Sequence, residues 1–577
     1  MISRQKQKLF VSVALLLVAS FALAAPGQIE ASTYVVYIPL DSSIYDELDE
    51  LDGLGYLDSY IPEIKPISRV EAARLTLEAE RNLKEAEQHE SLADAMLNAL
   101  REQLGEEIGW LRNNAEDLQS TMIHPIDRIE AQYIYSSGVR HYWRTNNNSL
   151  NTAEGTPLMP NPDGLPTATG SNEVGRGSGW VGIGGFLTGY GEGAIAGPVT
   201  HDVPRYNRAQ LISGEAVVSL GNTAISFGQE EMTWGTGHYA PLSQSANSQP
   251  LPALRMQSIH PSYLPWILRY LGPGRRQVFM GQLDHDRLVD LGVPLSEQSG
   301  LPVVSRPWIV GHVLVFKPLP WLELGMTRVI LFGGSHNDHY NFSGFLGRFT
   351  GINTGKPSNG QTHSRGGLFT RFRIPWLRNT IVYQEMVGAD NLTGEIPTIG
   401  RFMPFLSVSE QGGVYVPRLT EDGRTDLRLE YTITSPNYVT HTQSLFWTYK
   451  GQLMTDPLGP NASQVNLQVG RWINNRYKFD LGAFYTEHAP SLSTDFPTLL
   501  SPNYPYHATK EHSVGVTLDV LRLPERVQRL ADSLANFRGR VAVEYSDHIN
   551  YDPAQHSARV MLMMSTSLSP TGLSWKW

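Results

Sequence analysis

Gly351-Ile352-Asn353-Thr354-Gly355-Lys356-Pro357 has the glycines and lysine of a phosphate-binding loop and is the first stretch that suggests chemistry. Such a loop cradles phosphates with backbone amides and places a Ser or Thr after the lysine to hold magnesium. Here the spacing is one residue short and Pro357 takes the hydroxyl position, so the stretch reads as a loop turn. His336-Asn337-Asp338-His339 offers two imidazoles and a carboxylate to a divalent metal. It falls in an expected surface loop, with no further ligand and no helix to align the histidines. Asp284-His285-Asp286 is judged the same way. The chain has no cysteine, which excludes zinc-thiolate sites, iron–sulfur clusters, disulfides and thiol nucleophiles. It also has no G-x-S-x-G elbow. A barrel lipase would need only Ser, His and a carboxylate or carboxamide at its rim, but no such constellation can be assembled from the sequence. The expectation is a protein without catalytic residues, metal or cofactor.

Binding residues are better marked. Arg371, Arg373, Asp426, Arg428, Glu430, Lys478, Asp480 and Glu544 occupy the polar positions of alternating runs, which directs them to one face of a sheet. In a closed barrel that face is the lumen. Mixed signs there predict either cross-lumen ion pairs that narrow the pore or charges that solvate a water-filled channel. Tyr142, Trp143 and Arg144, and further on Trp234, His238 and Tyr239, gather where strands are expected to meet external loops. Flat rings beside hydrogen-bond donors suit a sugar, whose C–H face stacks on the ring while its hydroxyls pair. Aromatic residues of a membrane-interface girdle have the same composition.

These placements depend on strands. After Ile129 the apolar period becomes 2, and from Asp426 to Ile433 every odd residue is apolar and every even one polar or charged. The same dyad returns over 477–481, 514–520, 541–545 and 560–568. Many runs extend to about ten to twelve residues, as a tilted membrane-spanning strand requires. Tight joins at 220–222, 317–320, 376–379, 421–423 and 474–475 alternate with long polar stretches around 144–175, 286–305, 333–364, 389–408, 436–461 and 488–507. Short turns on one side and long loops on the other are the pattern of a bacterial outer-membrane barrel. About eighteen strands are expected between 128–142 and 557–569, those near 176–187, 189–197, 250–259 and 409–418 having the weakest patterns.

Composition agrees with an all-β transmembrane barrel. Charged residues are 18% of the chain, whereas glycine (53 residues) and aromatics (10%) run high. The net charge of −10 provides no basic footprint for nucleic acid. Residues 1–24 read as a secretory signal peptide, with Arg4, Lys6 and Lys8 ahead of an apolar run and Ala22-Leu23-Ala24 at the expected cleavage site. From Asp41 to about Leu118 the pattern is helical, with a stop at Gly53-Leu54-Gly55 and a capping box at Ser68-Arg69-Val70-Glu71. The expected organisation is a signal peptide (1–24), a small periplasmic α-helical bundle (25–125) and the barrel (126–577).

Several short motifs occur in a characteristic order. They are Tyr37-Ile38-Pro39-Leu40-Asp41, Ile64-Lys65-Pro66-Ile67-Ser68-Arg69, Glu71-Ala72-Ala73-Arg74, Thr233-Trp234-Gly235-Thr236-Gly237, Leu264-Pro265-Trp266, Leu271-Gly272-Pro273 and Leu429-Glu430-Tyr431. By these the chain resembles the Wzi capsule-assembly family of outer-membrane proteins. The resemblance implies an eighteen-stranded barrel with a periplasmic helical bundle, acting as a non-enzymatic lectin that holds capsular or other surface polysaccharide on the cell. Both the helical segment and the C-terminus are then expected in the periplasm. The expected partners are that polysaccharide, outer-membrane lipid and, during biogenesis, the barrel assembly machinery, to which the aromatic Trp577 at the C-terminus points. A porin or substrate-specific channel is the alternative that a wet lumen equally suits.

Overall fold

The dyad alternation resolves, in the computed structural model, into eighteen antiparallel strands that close on themselves. The structure describes residues 33–576 except 87–89, 113–120, 140, 142, 145–150, 153–163, 166, 168, 198–208, 286–304, 336–362, 390–408, 436–437, 440–446, 490–508, 528–532 and 571–572. The signal-peptide expectation, His336–His339 and Gly351–Pro357 lie outside the described residues, as does Asp286.

In chain order the strands are β1 (Met122–Ser136), β2 (Gly170–Ile183), β3 (Leu187–Gly197), β4 (Ala209–Leu220), β5 (Thr223–Gln229) and β6 (Pro252–Ser258). Next come β7 (Pro273–Gln282), β8 (Trp308–Leu319), β9 (Leu322–Phe332), β10 (His363–Ile374), β11 (Thr380–Ala389) and β12 (Ser409–Val416). The last six are β13 (Thr425–Ile433), β14 (Ala462–Ile473), β15 (Tyr477–His488), β16 (Glu511–Val527), β17 (Ser533–Asp547) and β18 (His556–Pro570). Each pairs with its sequence neighbour, and β18 closes on β1 from Ile129↔Leu568 to Ser136↔Met561. The expected tight joins all fall at one end of the barrel, called here the short-turn end.

Several boundaries differ from expectation by a few residues, β2 spanning Gly170–Ile183 rather than 176–187, and two differ for evident local reasons. β1 starts at Met122 rather than near 128, because the register against β2 shifts between His124 and Arg128 and breaks the dyad there. Pro125 sits inside that irregularity, where a missing amide is tolerated. β5 ends at Gln229 because the chain then turns into the lumen.

Outside the barrel strands, four α-helices are described: α1 (Ser43–Leu54), α2 (Arg69–Glu85), α3 (Ser91–Gln103) and α4 (Gly105–Arg112). α1 starts where the Ser42 hydroxyl accepts from the Ile44 amide and stops at Gly55, whose φ of +92° is readily adopted only by glycine. At α2 the Ser68 hydroxyl accepts from the Glu71 amide at 3.2 Å, as the capping box predicts. The reciprocal half is absent, because the Glu71 carboxylate engages Arg74 and His260 instead. Leu48, Leu51, Leu75, Leu97 and Leu100 form the bundle core, which continues onto Trp472, Leu521 and Leu523 of the barrel. The bundle therefore docks on the barrel rather than standing apart from it.

The barrel wall has two distinct faces. On β15, Phe479, Leu481 and Tyr485 are exposed, while Phe484 and Thr486 are buried on the opposite face. Leu429, Leu467, Leu481, Val516 and Val543 continue the exposed apolar belt across β13 to β17, forming a surface suited to lipid chains. Leu481→Arg is expected to lower barrel stability by about 2–4 kcal/mol, and Ile473→Arg, near the short-turn rim, by about 0–1. Equilibrium unfolding in lipid vesicles measures both.

Candidate functional site

The lumen holds the functional geometry, and it is filled from within. At the short-turn end, α1 and the turn before it present acids to a cationic wall. Asp41 takes a two-pronged bond from Arg128 at 2.8 and 2.6 Å, and Asp46 pairs with Arg538. Glu50 accepts from the Trp472 indole at 3.0 Å and from Lys478 at 3.4 Å. Asp52 is fully buried and gives one oxygen to Arg371 and the other to Arg373. Burial alone would raise the Asp52 carboxyl, but the guanidiniums of Arg373 and Arg371 outweigh it and hold the group well below its usual range. Glu50 goes the other way: burial pushes it up to about 7 against the attraction of Lys478. Wall cations also bind the chain that follows α1, with Lys317 donating to the Tyr60 carbonyl and Arg275 to that of Ile64, both at 2.9 Å.

The connection between β5 and β6 enters the lumen from the opposite end and meets this segment. Thr233 and Trp234 pair with Lys65 and Ile64 as a two-stranded ladder inside the barrel. Trp234 is fully buried, tilted against Phe279 at 5.2 Å, with its indole N–H on Gln277. Its site is an apolar sector of the inner wall that includes Ile309, Val313 and Val315 of β8. Beyond it, two wall carboxylates seize backbone amides. Glu385 accepts from Ser243 at 2.7 Å, Thr236 at 3.2 Å and Leu242 at 3.3 Å. Glu430 accepts from the His238 amide at 2.8 Å and the Tyr383 hydroxyl at 2.7 Å. The β13–β14 connection covers this loop in turn: the Tyr438 hydroxyl donates to the Leu242 carbonyl at 2.7 Å, and the Ser245 amide to that of Met454 at 3.0 Å.

Between the two insertions lies a cavity of about 240 Å³, lined by Asp49, Lys65, His238, Tyr239 and Arg428 among others. It is smaller than the roughly 300–1,000 Å³ of ordinary small-molecule pockets, so it admits a small polar molecule rather than a polymer. Burial, reinforced by Arg428, Lys478 and Lys65, holds the His238 ring well below its usual pKa and hence neutral.

The eight expected lumen residues are all found inside, but they do not reach across to the opposite wall. Arg371 and Arg373 bind α1. Lys478 pairs with Asp426 of β13, two strands away, at 2.9 Å and with Asp480 of its own strand at 3.8 Å. Arg428 lies 4.1 Å over the Tyr415 ring, Glu430 holds the inserted loop, and Glu544 pairs with His141 at 2.7 Å. The expectation of cross-lumen pairs is corrected accordingly: the space between the walls is occupied by other parts of the chain. Among the aromatic candidates, Trp234 offers no accessible ring, and His238 and Tyr239 face the cavity, the Tyr239 hydroxyl donating to Gln468 at 2.9 Å. Tyr142 lies outside the described residues, while Trp143 and Arg144 pair with Thr152 and Asn151 in a short hairpin. Among the described residues no group of three or more His, Asp or Glu side chains is placed to hold a metal ion.

Sequence reasoning missed Asp52, Glu50 and Glu385. The signal for the first two was the acids interleaved with Leu48 and Leu51 on α1, which a freely solvated helix does not require. For the inserted loop the signal was β8, where Ile309, Val313 and Val315 put apolar groups on a face that a watery lumen would leave polar.

Fold and site together define a transmembrane barrel closed by its own N-terminal segment and by an inserted loop. A family model described as capsule assembly protein Wzi matches residues 141–524, and the chain belongs to that family. An uncharacterized 55.8 kDa protein of the Klebsiella pneumoniae cps region is 27% identical over 189 residues, 32% of this chain and 34% of that protein. The match thus spans about a third of that relative's length. The solved structure of Escherichia coli Wzi is described as that of an outer-membrane protein involved in group 1 capsule assembly and as a carbohydrate-binding β-barrel. It superposes with a TM-score of 0.60 at 16% identity, covering 91% of this chain and 98% of that one, and shows the shared fold.

Asp52→Asn takes the carboxylate from Arg373 and leaves Arg371 with Glu323, and is expected to weaken docking of α1 by about 3–5 kcal/mol. Glu50→Gln replaces a group that is already partly neutral near pH 7 and is expected to cost less. The pH dependence has two limbs. Asp52 contributes fully above its ordinary value of 3.8 and loses that contribution as pH falls below it. Glu50, raised from 4.5 to about 7, costs stability progressively as pH rises through that interval. Hydrogen exchange of the α1 amides reads both limbs.

Proposed function

We propose that this chain is a non-enzymatic lectin of the outer membrane that holds capsular or related surface polysaccharide on the cell. In this reading the short-turn end, the helical bundle and the C-terminus face the periplasm, and the long loops face outward. Residues 1–24 serve as the export signal, the apolar belt contacts outer-membrane lipid, and the barrel assembly machinery inserts the chain. The observation that carries the reading is the lumen filled from both ends. A channel needs a continuous wet path, whereas a filled barrel leaves the long-loop end as the surface on which a polymer rests.

Many weak contacts along one repeating polymer hold it by avidity, without a deep pocket. Tyr142, Trp143 and Arg144 are the proposed sugar contacts on the loop side. His238 and Tyr239 are proposed for a smaller polar group at the cavity, with Trp234 fixing the loop that carries them.

Deletion of the gene is expected to lower cell-bound polysaccharide and raise shed polysaccharide at constant total. Trp143→Ala combined with Arg144→Ala is expected to shift the balance the same way without changing barrel stability. Unchanged bound and shed fractions in the deletion strain would refute attachment.

A further inference from the structure

The β6–β7 connection contains the motif Leu264-Pro265-Trp266…Leu271-Gly272-Pro273, which the lumen and its loops do not use. It lies at the short-turn end, where the other described connections are tight turns. Ser262 and Tyr263 pair with Gly274 and Pro273 to form a stalk, and residues Trp266–Leu271 make a short 3₁₀ helix at its tip. None of those six residues is buried. Trp266 is 88% exposed, Ile267 78% and Tyr270 81%, values that make this the most exposed apolar segment among the described residues. Trp266 also has φ +57°, a conformation that a bulky side chain rarely adopts. The ring is turned outward, and nothing within the described chain rewards that turn.

The stalk is firmly built. Gly272 adopts φ +79° and lies so close to the Lys317 carbonyl of β8 that a Cβ would collide with it. At the base, the His260 amide donates to the Asn222 side chain at 2.7 Å, and its ring bonds Glu71 of α2 at 2.5 Å. A segment clamped to both the barrel and the helical bundle, yet exposing its largest apolar groups, is organised to present them.

We infer that residues 262–273 are an interfacial membrane anchor, with the 3₁₀ helix lying in the headgroup region of the lipid leaflet at the short-turn end. Two observations favour lipid as the occupant. The patch is continuous with a rim of exposed apolar residues at neighbouring short turns, Leu319 at the end of β8 and Trp321 in the β8–β9 turn, and Trp376 and Leu377 between β10 and β11, which borders the lipid-facing belt. In addition, the sequence contains no acid between Glu231 and Asp284, so Arg269 is the one charge on the helix and suits anionic headgroups. Trp and Tyr with an apolar body and a polar edge are the residues that settle at that depth. The inference rests on the barrel spanning a membrane, and the test separates the two.

Because the chain lacks cysteine, Ile267→Cys and Tyr270→Cys each give one labelling site for a bimane fluorophore on the full chain. The labelled proteins are placed in nanodiscs of phosphatidylethanolamine and phosphatidylglycerol, which leave both faces open to solvent. Leu481→Cys on the belt and Lys84→Cys on the exposed side of α2 are the references. Labels at 267 and 270 are expected to lose emission to lipids carrying a nitroxide near the headgroup more than to lipids with a deep nitroxide, and to resist aqueous iodide. Iodide quenching at 267 and 270 equal to that at 84, with 481 still quenched by lipid, would overturn the anchor while leaving barrel insertion intact. Shielding of 267 and 270 from both quenchers would assign the patch to a protein partner or a second copy and would also overturn it. Absence of lipid quenching at 481 would remove the spanning barrel and the anchor together.

Discussion

Asp52, with each oxygen taken by a different guanidinium of the barrel wall, is the contact on which the closed lumen depends. A buried ion pair of this kind adds little net stability, because removing both partners from water costs about as much as their attraction returns. Its value is geometric. Arg371 and Arg373 occupy alternate positions on β10, so they fix where α1 sits along the barrel axis and which side it turns to the wall. Once α1 is seated, Lys478 finds Glu50 and Arg128 finds Asp41, while Leu48 and Leu51 meet the apolar patch around Trp472. Charges that would otherwise demand water are satisfied by the chain itself.

The inserted loop follows the same logic with the signs reversed. Glu385 and Glu430 are wall carboxylates whose partners are mainly backbone amides, so the loop needs no cationic side chains of its own to be held. Trp234 adds the apolar component and ties the loop to the N-terminal segment through the ladder with Ile64 and Lys65. The two insertions therefore meet, and a small cavity lies between them. In the function proposed above, polymer recognition falls to the long-loop end of the barrel.

Much of the barrel was legible because its signal is local. Alternation in Asp426–Ile433 or Val514–Val520 records the two environments of one strand, and short turns record which ends lie together. The direction of the lumen charges was legible for the same reason, as Arg371, Glu430 and Lys478 all obey the dyad. Their partners were not, since Asp52 is separated from Arg371 by most of the sequence and nothing in either strand or helix names the other. The inserted loop was hidden differently: residues 230–250 have the composition of an ordinary surface connection, and only the apolar inner face of β8 betrays what fills it. The break in β1 at His124-Pro125 was a third kind of loss, in which a register shift erased a period that is otherwise clear.

Closure of the lumen by the chain itself is the central claim, and single-channel recording of the purified full-length protein in planar bilayers tests it most directly. A sealed bilayer or brief, small conductance events are expected over the voltage range in which an open barrel of this size conducts continuously. A stable, large, ohmic conductance from the unmodified protein would contradict it.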